Sequence, residues 1–99
     1  MKRSYPYEAR ILRGAALLDE ERPGWRGHID LHNLDMGYSP YCVLGQEFGG
    51  YYTAKTALGI DTRACINYGF QLSSHYRPTF ARLTAAWRRY LAPEKPADA

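Results

Sequence analysis

His28 and His32 stand four residues apart, with Asp30 and Asp35 close by. On a helix that spacing would put both imidazoles on one face, a usable pair of metal ligands. Gly27 and the alternation of Ile29 and Leu31 with polar residues argue against a helix there. Loop histidines, solvated or capping, are therefore expected, and no metal. Cys42 is the second candidate, because a catalytic thiol needs a helix N-terminus or a nearby cation to lower its pKa. Ser39-Pro40 reads as an N-cap serine with proline at the first helical position, which places Cys42 in the first turn. Its neighbours Val43 and Leu44 point instead to a buried thiol, and Cys65 also lies in apolar surroundings. Two cysteines are too few for an extracellular disulfide framework, so both are expected as reduced core thiols. Gly45, Gly49 and Gly50 form no phosphate-binding pattern. The chain has no Ser/His/Asp order, no paired carboxylate motif and no cofactor fingerprint. The expectation is a protein that is not an enzyme and carries no cofactor.

Arginine and tyrosine are the enriched types. Ten of the 13 basic residues are Arg, and nine residues are Tyr. GC-rich coding accounts for Arg over Lys but not for the tyrosines, whose codons are AT-rich. A domain of 99 residues cannot bury so many tyrosines and satisfy every hydroxyl, so several must reach the surface, where Tyr and Arg serve recognition. Trp25, Tyr38, Tyr41, Tyr51 and Tyr52 cluster around the irregular middle of the chain and are the candidate partner-binding aromatics. Arg82, Arg88 and Arg89 are the candidate partner-binding cations. With Arg77, Tyr76 and Tyr90 they also offer the alternative of a small basic nucleic-acid-binding protein, although no helix-turn-helix spacing is present. The leading expectation is a protein partner, a host protein or a second copy of the chain.

The elements that must position these residues are helical. Ile11, Leu12, Ala15 and Leu18 keep a 3.6-residue period and predict a first long helix over 5–22, capped by Ser4 or Tyr5 with Pro6 in the first turn. Gly14 inside it marks close approach of another backbone. Pro23-Gly24 stops it. Residues 23–38 read as an irregular, ordered loop, with Trp25, Ile29, Leu31 and Leu34 pinning it to the core. Three short helices follow: Tyr41 to Phe48, Tyr51 to Leu58 ended by Gly59, and one capped at Asp61-Thr62 and running to Tyr68. The last helix carries the stripe Phe80, Leu83, Trp87 and Leu91, with Pro78 in its first turn. The predicted fold is all-α, two longer helices packed with about three short ones and an ordered loop, in a single domain over 1–91 with a loose tail at 92–99.

Composition sets the remaining bounds. An apolar share of 45% suits a globular chain rather than a disordered one. The apolar runs are too short to cross a membrane, and no apolar stretch follows the basic start Met-Lys-Arg, so no signal peptide and a cytoplasmic location are expected. The net charge of +3 is unevenly spread. Residues 1–26 carry +2, residues 27–61 carry −3 and residues 62–99 carry +4. Basic ends around an acidic middle suit a head-to-tail partner and make homodimerisation an open expectation.

The pieces Gly14-Ala15-Ala16-Leu17-Leu18-Asp19, Pro23-Gly24-Trp25, Ile29-Asp30-Leu31 and Cys42-Val43-Leu44-Gly45-Gln46 together resemble a set of small uncharacterised proteins of actinobacteria and of phages that infect them. The resemblance covers roughly residues 14–91. It brings no catalytic residue with it. It implies a bacterial cytoplasm, GC-rich coding and a phage accessory gene whose product binds a host protein. The matching positions are mostly Gly, Pro, Trp, Leu and Cys, which bear on a shared fold more than on a shared site.

Overall fold

The computed structural model describes residues 7–73 and 76–92. Within them the chain is all-α: α1 Glu8–Glu21, α2 Trp25–His28, α3 Val43–Phe48, α4 Tyr51–Leu58, α5 Thr62–Asn67 and α6 Arg77–Leu91. The expected caps Ser4, Tyr5 and Pro6 lie outside the described residues; α1 begins after Tyr7. The loose tail expected at 92–99 also lies outside them, apart from Ala92, whose backbone is still helical. No helix among the described residues is long and apolar enough to cross a membrane.

The two long helices supply facing apolar stripes. α1 buries Ile11, Ala15 and Leu18. α6 buries Leu83, Ala86, Trp87 and Leu91. Trp87 sits at the centre. Its ring stacks on Phe70 at 5.8 Å between centroids and meets Trp25 and Tyr90 edge-on at 6.2 and 6.1 Å. Its indole N–H donates to the Gly69 carbonyl at 2.7 Å, so the buried polar edge is satisfied. Gly14 does mark a close approach. A Cβ there would overlap the Tyr68 carbonyl oxygen at the end of α5, so only glycine lets α1 lie against that turn.

Two details depart from the sequence reading. The segment 23–38 contains a helical turn, α2. The Trp25 amide bonds to the Arg22 carbonyl at 3.0 Å and the Gly27 amide to the Gly24 carbonyl at 3.2 Å. Trp25 has to enter the core immediately after α1 stops, and one tight turn achieves that. The second departure is at Ser39-Pro40, which does not start α3. Both residues belong to a turn in which the Tyr41 and Cys42 amides bond to the Tyr38 carbonyl. The Ser39 hydroxyl oxygen accepts the Tyr51 amide at 3.2 Å instead. Cys42 is the N-cap of α3, its sulfur accepting the Gly45 amide at 3.2 Å. Gly45 makes this possible, because a Cβ there would collide with the Ser39 carbonyl.

Candidate functional site

The segment between α2 and α3 is irregular, yet it is tied down along its whole length. Ile29, Leu34 and Met36 are buried. The Gln46 side chain on α3 accepts the Asp30 amide at 2.6 Å and donates to the carbonyls of Asp30 and Tyr41 at 3.2 and 2.9 Å. From α6, the Thr84 hydroxyl accepts the Met36 amide at 2.8 Å. One turn further on, the Arg88 guanidinium donates to the carbonyls of Leu31, His32 and Leu34 at 3.0, 3.3 and 3.1 Å. The loop is therefore a preformed surface, held by satisfied backbone groups.

The residues singled out for chemistry have structural occupations. His28 pairs with Glu47, Nδ1 to Oε1 at 2.9 Å, and Arg22 holds the other carboxylate oxygen at 3.1 Å. Glu47 is almost fully enclosed there, its side chain only 4% exposed. His32 is exposed, and its amide donates to Asp30 at 3.0 Å. The Asn33 side chain and then the Asn33 and His32 amides hold the Asp30 carboxyl below its ordinary range. Among the described residues no group of three His, Cys, Asp or Glu stands ready to hold a metal ion. Cys42 and Cys65 are both free and buried. Burial pushes the Cys42 thiol up to about 11, and it also raises Cys65. A nucleophile requires the opposite shift. The Tyr51 hydroxyl is buried, reaches no partner in hydrogen-bonding geometry, and is pushed by that burial to about 12; Gln71 and Cys65 are the polar side chains facing it.

The candidate recognition residues divide into two groups. Trp25 and Tyr51 are corrected to core positions. Trp25 is 0% exposed, with its indole N–H on Asp19 at 2.8 Å, because it is the residue that closes the core after α1. Tyr51, the first residue of α4, is 7% exposed and faces the core. Tyr38, Tyr41 and Tyr52 are at the surface, 53%, 46% and 72% exposed. Tyr38 and Tyr41 form an edge-to-face pair at 5.2 Å, which holds both rings in place beside the loop. Tyr76, not ranked among the candidates from sequence, is 63% exposed at the start of α6. Arg82, Arg88 and Arg89 are all exposed, but the donors of Arg88 are committed to the loop carbonyls.

Of these exposed aromatics, Tyr52 lines a depressed surface. One depression of about 600 Å³ lies between the loop at Leu34 and Gly37 and the α6 residues Phe80, Ala81 and Ala85. A second, of about 320 Å³, adjoins it at Gly37, Arg77 and Phe80, and reaches Tyr51 and Tyr52. A third, of about 410 Å³, adjoins the second at Tyr51, Tyr52 and Gln71 and extends to Lys55 and Thr62. The three share walls in series, running from α6 past the loop to α4.

No protein-family model, no curated protein and no solved structure matches this chain. The function must therefore be argued from the face itself. Tyr76, named from sequence only beside the arginines of the nucleic-acid alternative, immediately precedes the Arg77-Pro78 helix start, where a side chain leaves the core. Gln46, Glu47 and Thr84 gave no comparable signal, since their roles depend on which backbone groups the fold brings within reach.

Proposed function

We propose that the chain is a non-enzymatic protein-binding domain whose recognition face is the surface between the 34–41 loop, the first half of α6 and α4. The observation that carries this reading is the placement of exposed aromatics around an ordered depression. Of the five large apolar side chains exposed among the described residues, four are tyrosines; Tyr52 lines the depression, Tyr38 stands in the chain between the lining residues Gly37 and Ser39, and Tyr76 directly precedes the lining residue Arg77. Rigid aromatic rings at the rim of a preformed concavity are what protein interfaces use for anchoring, at low cost in side-chain entropy. The raised pKa of Cys42 and the pairing of His28 with Glu47 favour the same reading over a catalytic one.

A nucleic-acid reading through Arg82, Arg88 and Arg89 fits less well, because Arg88 spends its donors on three carbonyls of the chain itself. The wider context belongs to the proposal too: a phage-encoded modulator of a host bacterial protein, acting in the cytoplasm.

The reading is tested by capture from an actinobacterial lysate with three forms of the protein. The unaltered chain and an Arg63→Ser control on α5 should recover the same dominant protein. A Tyr38→Ser/Tyr52→Ser form should recover it at least about tenfold less, the loss of two anchor residues. Equal recovery by all three forms contradicts the proposal.

A further inference from the structure

The charges along the face point to the kind of partner. The helix α6 carries four arginines, Arg77, Arg82, Arg88 and Arg89, and no acidic residue. Arg77 stands where the first two depressions meet, and it forms no ion pair with any described residue. Lys55, at the far end, donates to the Thr62 hydroxyl at 2.9 Å and lies over the rings of Tyr51 and Tyr52. Arg88, at the near end, bonds to neutral carbonyls only. The ion pairs among the described residues, Arg22 with Glu47, Arg26 with Asp19 and His28 with Glu47, use none of these three cations. Among the described residues Asp35 is the sole carboxylate lining the three depressions, and it accepts the Gly37 amide at 3.0 Å. The face therefore presents three cations, at both ends and the middle, against the one carboxylate of Asp35 among the described residues, above an apolar floor of Phe80, Ala81 and Ala85.

We propose that this trough binds an extended, acidic segment of a partner protein, with apolar side chains in the floor and carboxylates at Arg77 and Lys55. The inference rests on the protein-binding reading above and adds its chemistry. About eight extended residues at roughly 3.3 Å each span ~26 Å, less than the molecule's two longer dimensions of 38 and 32 Å. A helix would present side chains all round and leave one charged row facing away. An extended chain alternates faces, so every second side chain enters the floor while its neighbours meet the rim.

The probe is an octapeptide of Glu-Leu-Glu-Ser repeated twice, compared with the same pattern carrying Gln or Lys in place of Glu, and with an eight-nucleotide oligothymidylate. Binding is followed by amide chemical shifts of the full chain at low salt. The Glu peptide is expected to bind at least about tenfold tighter than the Gln peptide, to shift Gly37, Tyr52 and Ala81, and to lose about tenfold in affinity on Arg77→Glu. Arg77 is exposed at the first turn of α6, where a carboxylate suits the helix dipole, so the variant should fold. Equal affinity for the Glu and Gln peptides, both at the trough, overturns the acidic specificity and leaves the protein-binding face standing. Shifts confined to other faces, or none with any peptide, overturn the trough as a peptide site. Preferential binding of the oligothymidylate in the trough overturns both readings in favour of nucleic acid. Concentration-dependent shifts in the trough without peptide, with a doubling of mass, overturn the proposed occupant in favour of a second copy of the chain.

Discussion

The Thr84 hydroxyl accepts the Met36 amide at 2.8 Å and donates its own hydrogen to the Phe80 carbonyl at 2.9 Å. A single buried side chain thereby joins α6 to the loop that forms the opposite bank of the trough. Thr84→Val keeps the shape and removes the acceptor, leaving a buried N–H unpaired, which costs about 1–3 kcal/mol. Chemical denaturation should show that loss, and amide exchange should quicken at residues 34–37. Unchanged exchange there would mean that the loop is held by other contacts.

Arg88 makes the companion prediction. Its planar fork reaches three carbonyls that a lysine ammonium cannot span together. Arg88→Lys should therefore fall short of rescue, with both Arg88→Lys and Arg88→Met destabilising the fold by about 1–2 kcal/mol. A Lys variant as stable as the unaltered protein would show that charge alone suffices at this position.

Alkaline pH should weaken the fold in a defined window. The Cys42 thiol rises from an ordinary 9.0 to about 11 through burial. Below pH 9 both folded and unfolded chains keep the proton, so stability is flat. Between about 9 and 11 the unfolded chain releases it and the folded chain does not, so stability falls, by about 2–3 kcal/mol in all. Tyr51, raised from 10.0 to about 12, extends the decline upward. Urea midpoints at pH 7.5, 9 and 11 test this, and a midpoint that holds steady to pH 11 contradicts it. At pH 8 the native thiol should react with iodoacetamide about a hundredfold more slowly than the unfolded one, in proportion to its thiolate fraction.

Two glycines should respond in opposite senses. Gly45→Ala drives a methyl into the Ser39 carbonyl and should cost about 2–3 kcal/mol. Gly27 has open space where its Cβ would be and lies in the helical turn α2 without a positive φ. Gly27→Ala should raise stability by about 0.5–1 kcal/mol by restricting the unfolded chain. Thermal unfolding of the two variants reads both signs.

The legible part of this protein was its helices. The Ile11–Leu18 and Phe80–Leu91 stripes and the Gly59 and Asp61 caps are local signals, and the elements lie where those signals put them. Trp25 shows the limit: sequence offers it both as a core anchor of the 23–38 segment and as an interface aromatic, and its place just after a helix stop sends it to the core. Ser39-Pro40 shows another. Its cap signature is genuine, but the Ser39 oxygen serves the Tyr51 amide, twelve residues away, and only tertiary structure decides between two local uses of one hydroxyl. That several tyrosines reach the surface followed from counting, since a small core cannot hold nine of them. Which ones do, and that Tyr52 lines the trough, did not, because that needs α4, α6 and the loop brought together.

The central claim is that this trough is where the protein meets its partner. Site-specific photocrosslinking measures that directly, with a photoreactive phenylalanine analogue placed singly at Tyr52, Ala81 or Arg63 in a bacterial host. The account predicts one discrete higher-mass adduct from Tyr52 and from Ala81, of the same identity, and none from Arg63 on α5. An adduct from Arg63 with none from Tyr52 or Ala81 would contradict it.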